Sequence, residues 1–483
     1  MAAHCAAHET MPDTGRPNIV CVVLDSVRAP NSSAYGYERP TTPHLQRLAH
    51  EGVIFRQASS VGCWTLPVHT SLFTGLYPIR HGVTISSQAL GTDVATLAER
   101  LGALGYRTAC FSNNAYISDA SGLSRGFEHV DEVWRVTNPR GVALPRLSQR
   151  IRQLESRGPL MRPLIGLLRR AKRVRTIYKA WRSRKDSGAS YTNERIRDWL
   201  RDSADDRPYF IFVNYMEAHE PYLPPYPYNR QFVPKRYSPW RIVRSTGRQE
   251  EILSRTGRAR DEDLEILEGM YDGTLRYADE KVAELTQVLA ADGELDRTFL
   301  AATSDHGDAF GEHGHLGHRL TLYEELLHVP LVIRYPERFA PGTSVDDPVN
   351  VADLYPTILE IAGLDREAIG EQDFVSLAEA SEGRPIIAEN TGPKSIDGLV
   401  SRTLREGHLK LIWRDDGRHE LYDLAADPGE QRNLADVDPA TLRRLLARME
   451  EWVREMEQRS IGTGDASYDD ETLERLRGLG YVG

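Results

Sequence analysis

The chain is poor in the residues that staple or span. Four cysteines, Cys5, Cys21, Cys63 and Cys110, stand in 483 residues, and no two form a C-x-x-C pair. That is too few for a disulfide scaffold and the wrong spacing for a structural zinc. No run approaches the roughly 18 uninterrupted apolar residues of a membrane-spanning helix. The polar opening up to Pro17, with His4, His8, Glu9 and Asp13, lacks the apolar core of a signal peptide. The expectation is a protein of a reducing compartment, cytoplasmic, with residues 1–16 a flexible lead-in. Positive charge is not in excess either. Sixty Lys and Arg against 70 Asp and Glu give a net charge of −10, which argues against nucleic acid as a partner. No internal repeat or low-complexity tract is present. What remains is globular material, 40% apolar and 27% charged. A chain of this length buries a core large enough for an enclosed site, in two or three domains or one large domain with an appendage.

The first structured element is the apolar, β-branched run Asn18 to Leu24. Continuous rather than alternating apolarity predicts a strand covered on both faces. It ends in Asp25-Ser26, a carboxylate at the carboxyl end of a strand, where open α/β sheets build their sites. The alternation continues. Val94 to Leu104 reads as a helix, Arg107 to Phe111 and Tyr209 to Val213 as strands, and Leu264 to Leu289 as a long helix. Phe299 to Thr303 and Val329 to Arg334 are further strands, and Val351 to Gly363 a further helix. Strands alternating with helices predict an α/β protein with a doubly wound, mostly parallel sheet over residues 17–384.

Two regions depart from that pattern. From Arg150 to Lys185 there are thirteen Lys or Arg and a single acid, Glu155, with Leu160, Leu164, Leu167 and Leu168 at helical spacing. This basic helical insert, about 139–190, has three readings: a solvated helix packed on the enzyme or on a second subunit, a membrane-surface contact, or a funnel for an anionic substrate. From about Pro385 onward the segments shorten, with a strand at Leu409 to Trp413 and a charged helix at Pro439 to Arg459. Residues 385–483 read as a smaller α+β subdomain.

Three separated segments concentrate carboxylates, hydroxyls and histidines. They are Asp25, the stretch Gly62 to Gly75, and Ser304 to His318. Singly, Asp25 is an ordinary turn or cap residue and Asp305-His306 an ordinary loop pair. Together, oxygen and imidazole donors suit a divalent metal.

The ordered combination resembles the sulfatase family of the alkaline-phosphatase-like superfamily. The resemblance runs from Pro17-Asn18-Ile19-Val20 and Asp25 through Tyr35-Gly36-Tyr37, Thr41 to Leu45 and Leu66-Pro67 to Pro78. It continues through Met216 to Tyr222, Ser304 to Gly314, Leu322 to Glu325 with Val329 to Leu331, and Asp353 to Leu359. It ends with Glu420 to Leu424, Asp427-Pro428 and Asn433-Leu434. Membership implies a metal-dependent hydrolase of sulfate or phosphate esters, with a nucleophile at the amino end of a helix facing a divalent cation.

The departures narrow this. The family signature opens with a cysteine or serine that becomes formylglycine, followed by a proline and an arginine. Counting back from Thr74-Gly75, that first position is Thr65, with Pro67 in the proline place and His69 in the arginine place. Cys63 stands two residues too early. Threonine cannot become formylglycine, and threonine nucleophiles belong to related phosphodiesterases, phosphomutases and phosphoglycerol transferases. Ser26 stands where many sulfatases carry another aspartate ligand.

The resemblance therefore implies metal ligation by Asp25, Thr65, Asp305 and His306. One Mn²⁺, Zn²⁺, Mg²⁺ or Ca²⁺ per chain is expected. A second metal stays open, with His313 or His315 as its donor, or Glu217 and His219 as the nearest match to a two-metal pair. His318, where sulfatases often place a lysine, is an oxyanion contact or leaving-group acid. His219 has the same two roles open, or packs a loop beside Pro221. His69 pairs with an ester oxygen or caps the helix. Asp308 reads as a loop residue or a residue supporting the ligands, not as a ligand itself; Trp64 reads as core, with a pocket wall as the alternative. The function so implied is hydrolysis of small anionic phosphate esters, mono- or diester, with Thr65 as nucleophile. A sulfuric ester hydrolase with unmodified threonine, a phosphoryl or phosphoglycerol transferase, and a non-catalytic binding or assembly protein stand as alternatives. An oligomer is open too.

Overall fold

The computed structural model describes residues 15–84, 88–137, 186–202, 205–246, 259–291, 293–318, 321–379, 383–390 and 400–478, with Gln249 and Ile252. The lead-in up to Thr14 and the basic stretch Arg150 to Lys185 lie outside these residues.

Eight strands form the central sheet: β1 (Asn18–Leu24), β2 (Val53–Phe55), β3 (Arg107–Ser112), β4 (His129–Glu132), β5 (Tyr209–Tyr215), β6 (Thr298–Thr303), β7 (Leu331–Arg334) and β8 (Thr343–Val345). Their order is β8-β2-β7-β6-β1-β5-β3-β4. β7 runs antiparallel to both neighbours; every other pairing is parallel.

β1 lies near the middle, and its side chains explain its unbroken apolarity. Ile19, Cys21 and Val23 enter one apolar layer; Val20, Val22 and Leu24 enter the other. Each buried aliphatic side chain here contributes roughly 1.5–3 kcal/mol. The first layer is closed by α2 (Thr65–Thr74), α3 (Leu97–Ala103), α6 (Leu354–Ile361) and α7 (Pro439–Gln458). The second is closed by α1 (Pro43–Glu51), α4 (Ala189–Arg201) and α5 (Asp261–Ala291). Helices on both faces of a mostly parallel sheet are the doubly wound architecture expected from the sequence.

A separate antiparallel sheet follows: β9 (Ile386–Asn390), β10 (Ser401–Glu406), β11 (Leu409–Arg414) and β12 (Glu420–Asp423), in sequential order. Among the described residues no helix is long and apolar enough to cross a membrane.

Candidate active site

Strand register brings the first two carboxylates together. Asn18 pairs with Thr298 and Val23 with Thr303 across parallel β1 and β6. Two steps further along, Asp25 and Asp305 leave the carboxyl ends of neighbouring strands, which lie about 4.8 Å apart in any sheet. Ser26 makes the turn in the left-handed region, φ 65°. Its Oγ donates to Asp25 Oδ1 at 3.0 Å and its N–H to Asp305 Oδ1 at 3.1 Å. The serine standing where a further aspartate was anticipated thus ties the two carboxylates to each other.

Asp25, Asp305 and His306 are fully buried, and each offers a ligand atom within 4.8 Å of the others. The hydrogen bonding leaves the right atoms exposed to one another. His306 Nδ1 faces the Gly307 carbonyl at 3.0 Å, which fixes the proton there and turns Nε2 into a lone-pair donor. Asp305 Oδ1 accepts from Ser26 and His306 N–H groups. Asp305 Oδ2 and His306 Nε2, 3.6 Å apart, have no hydrogen-bond partner although both are buried. Burial, then the neighbouring Asp305, push the Asp25 carboxyl above its ordinary range. Orphaned, converging oxygen and imidazole donors under mutual repulsion fit a divalent cation.

Thr65 opens α2 as its first residue and is fully buried. Further along that helix the buried hydroxyls of Thr70 and Thr74 bond carbonyls four residues back, Leu66 and Thr70. The His69 imidazole lies between the first turn and the Asp25, Asp305 and His306 group: Nδ1 is 2.9 Å from the Thr65 carbonyl and 3.8 Å from Asp305 Oδ2. Burial pushes His69 down to about 4, so the ring is neutral and Nδ1–H donates to that carbonyl. Cys63 is buried in the core outside the helix, its thiol pushed up to about 12 by burial. Trp64 is core as well, edge-on to Tyr116 at 5.8 Å.

His318 and His219 meet beside this group. The His318 ring centroid lies 4.6 Å from that of His306 and 4.9 Å from that of His219. Burial lowers His318, but Asp308, 2.9 Å from Nδ1, outweighs it and raises the imidazole to about 9. His219 is buried, with Nδ1 2.7 Å from the Glu220 carbonyl.

Other candidates lie elsewhere. Glu217, pushed up to about 8 by burial, accepts the Ala189 N–H at the start of α4 with one carboxylate oxygen. It belongs to no three-donor group among the described residues. His313 stacks on Tyr323 and groups with Glu325 and Glu430, while Lys410 already bonds Glu324 and Glu430 at 2.7 and 2.8 Å. A buried lysine therefore supplies that cluster with a cation. His315 shares the loop and sits 6.3 Å from Tyr323.

Sequence reading passed over Asn114. It follows β3 on the same sheet edge and donates from Nδ2 to Asp25 Oδ2 at 3.0 Å. Its place just beyond a strand end was the available signal.

The sulfatase family model matches residues 17–364. Choline-sulfatase of Rhizobium meliloti (strain 1021) is 26% identical over 454 residues, covering 89% of this chain and 85% of that one. The phosphonate monoester hydrolase of Agrobacterium radiobacter superposes with a TM-score of 0.67 at 23% identity, covering 92% and 96% of the two chains. BT4656, solved with its substrate D-glucosamine-2-N,6-O-disulfate, superposes with a TM-score of 0.67 at 19% identity, covering 92% and 98%. A family model spanning most of the chain, on top of this fold, makes the protein a member of the sulfatase family, ester hydrolases of the alkaline-phosphatase-like superfamily.

Proposed function

We propose that this chain hydrolyses phosphate esters, with Thr65 as the nucleophile. The observation that carries the reading is Thr65 itself. A hydroxyl residue that cannot become formylglycine opens α2, and His69, which bonds the Thr65 backbone carbonyl, lies 3.8 Å from Asp305 Oδ2, while the nearby cysteine is sealed in the core. Solved structures of similar fold include phosphonate monoester hydrolases as well as sulfatases, so the fold admits either element and the nucleophile position favours phosphorus.

Asp25, Asp305 and His306, joined by Thr65, would hold one divalent cation, Mn²⁺, Zn²⁺, Mg²⁺ or Ca²⁺. Such an ion lowers the pKa of a bound hydroxyl and draws charge from ester oxygens. Thr65 Oγ, its proton given up to solvent, attacks phosphorus from the amino end of α2, an end at which a helix favours an anion. The O–P bond to the leaving group breaks as the Thr65 O–P bond forms, and water then cleaves the phosphothreonine. His219 and His318 serve the departing and equatorial oxygens.

Thr65→Ala is expected to abolish turnover of a nitrophenyl phosphodiester while keeping the fold and most of the metal. Asp25→Ala and Asp305→Ala are expected to lose the metal, read by elemental mass spectrometry. Full activity of Thr65→Ala, or unchanged metal in both aspartate variants, overturns the assignment. A sulfuric ester hydrolase with unmodified threonine is the second reading, favoured by the choline-sulfatase relative.

A further inference from the structure

The loop after β6 carries a buried carboxylate to which the steps above give no part. Asp308 is fully buried with both oxygens engaged. Oδ1 faces His318 Nδ1 at 2.9 Å, and Oδ2 accepts the Tyr222 hydroxyl at 2.7 Å. Tyr222 lies three residues beyond His219, fully buried, its ring 5.3 Å from Tyr271 and 5.5 Å from Phe310. The Asp308 backbone is pinned as well. Arg28 donates to its carbonyl at 3.1 Å and to Glu312 at 2.7 Å. A chain Tyr222–Asp308–His318 therefore crosses from the loop after β5 to the loop after β6. It ends at a ring packed against both His306 and His219.

A carboxylate on Nδ1 does two things to an imidazole. It fixes the ring's orientation, and it holds a proton on Nδ1 so that Nε2 is the nitrogen that exchanges protons with a substrate. Tyr222, donating from the far side, keeps the carboxylate from rotating. Buried hydrogen-bonded chains of this kind hold their members more firmly than isolated pairs. A nitrophenolate leaves phosphorus without help, whereas an alkoxide needs a proton as it departs, and general acids supply roughly 10²–10⁴-fold in that case.

We propose that Asp308 and Tyr222 are positioning residues that hold His318 as the leaving-group acid, fitting this site to phosphorus esters of unactivated alcohols. The inference rests on Thr65 being the nucleophile. In the first half-reaction Thr65 Oγ, already an alkoxide with its proton given up to solvent, bonds phosphorus, and the electron pair of the broken P–O bond stays on the alcohol oxygen, which takes the proton from Nε2. In the second half-reaction water bonds phosphorus, one of its protons returns to Nε2 and the other stays with the product phosphate, and the Thr65 O–P bond breaks with its electron pair left on Oγ, which restores the alkoxide.

The test compares ethyl phosphodiesters bearing 4-nitrophenyl, phenyl and ethyl leaving groups, with kcat and KM measured on the full chain. Asp308→Asn is expected to lose about 100-fold more kcat on the ethyl leaving group than on 4-nitrophenyl, with KM little changed. Tyr222→Phe follows the same ordering with a smaller loss, and Asp308→Glu recovers part of it. Metal content equal to wild type certifies the variants, and Tyr222→Phe carries the test should Asp308→Asn not fold. Thr65-dependent turnover with equal losses on all three leaving groups overturns this inference alone. Turnover that survives Thr65→Ala, or no turnover of any of the three by wild type, overturns the nucleophile reading and this one with it.

Discussion

Asn114 shows how much of a site can depend on a residue that belongs to no motif. Its amide donates to one oxygen of Asp25 while Ser26 Oγ occupies the other, so the carboxylate is aimed before any ion arrives. Outer partners of this kind are worth about 10–100-fold in metal affinity. Asn114→Ala is therefore expected to weaken metal binding by that factor, with the fold intact, in a titration against a chelator; unchanged affinity would show that Asp25 is aimed by other means. Asp25, Asp305 and His306 stood out as candidates because they lie at or just past the ends of apolar runs and match the family pattern in order. Asn114 did not, because its value depends on β3, β5 and β1 being side by side in that order. Asp308, a loop residue or a support for the ligands by sequence, stays undecided there for the same reason. Its partners, His318 and Tyr222, lie 10 and 86 positions away.

At the scale of elements, strands were the easier reading. Those flanking the site were recognisable to within a residue or two because burial on both faces leaves an unbroken apolar run. Helix limits shifted where caps decide. The helix anticipated from Val94 begins at Leu97, since Thr96 and Glu99 form a capping box. The one anticipated over Val351 to Gly363 opens as a 3-10 turn, Val351–Asp353, inside an Asn350–Asp353 box, before α6 begins. α2 carries no helical periodicity at all, because all ten of its residues are buried. The loop bearing His306 leans on a close approach between elements. A Cβ on Gly307 would lie 2.2 Å from the Glu325 carbonyl oxygen and 2.7 Å from Arg28 Cβ. Gly307→Ala must push His306 and Asp308 away from that backbone. The expected cost is about 1–3 kcal/mol in thermal unfolding, with metal lost in parallel. A melt and metal content equal to wild type would contradict this packing.

At the scale of the whole molecule, the antiparallel sheet is fastened to the catalytic sheet by buried charge. Lys410 of β11 is 1% exposed and bonds Glu324, which opens the short helix Glu324–Leu327 before β7, as well as Glu430. Removing one partner strands the others, so Lys410→Met is expected to destabilise the protein by about 3–5 kcal/mol in denaturant unfolding. A loss under 1 kcal/mol would mean the carboxylates find other partners. Glu325 beside this cluster accepts no side-chain or backbone donor at Oε1, and burial pushes its carboxyl up to about 7. The sign follows from the raised value. The group's favourable contribution is complete below its unfolded pKa of about 4.5 and is lost as pH rises through about 7. Glu325→Gln is therefore expected to gain on wild type between about pH 5 and pH 8.5 in thermal melts. A pH-independent difference would show that Glu325 does not titrate there. None of this was legible beforehand, because Glu324, Lys410 and Glu430 are ordinary surface residues until the two sheets meet.

The most direct measurement is one hydrolysis panel on the purified full chain with assayed metal. It sets nitrophenyl sulfate, nitrophenyl phosphate, a nitrophenyl phosphodiester and a nitrophenyl phosphonate against each of Mn²⁺, Zn²⁺, Mg²⁺ and Ca²⁺, with Thr65→Ala alongside. The account expects turnover of a phosphorus ester that disappears in Thr65→Ala. Turnover of the sulfate alone, or of a phosphorus ester undiminished in Thr65→Ala, would contradict it.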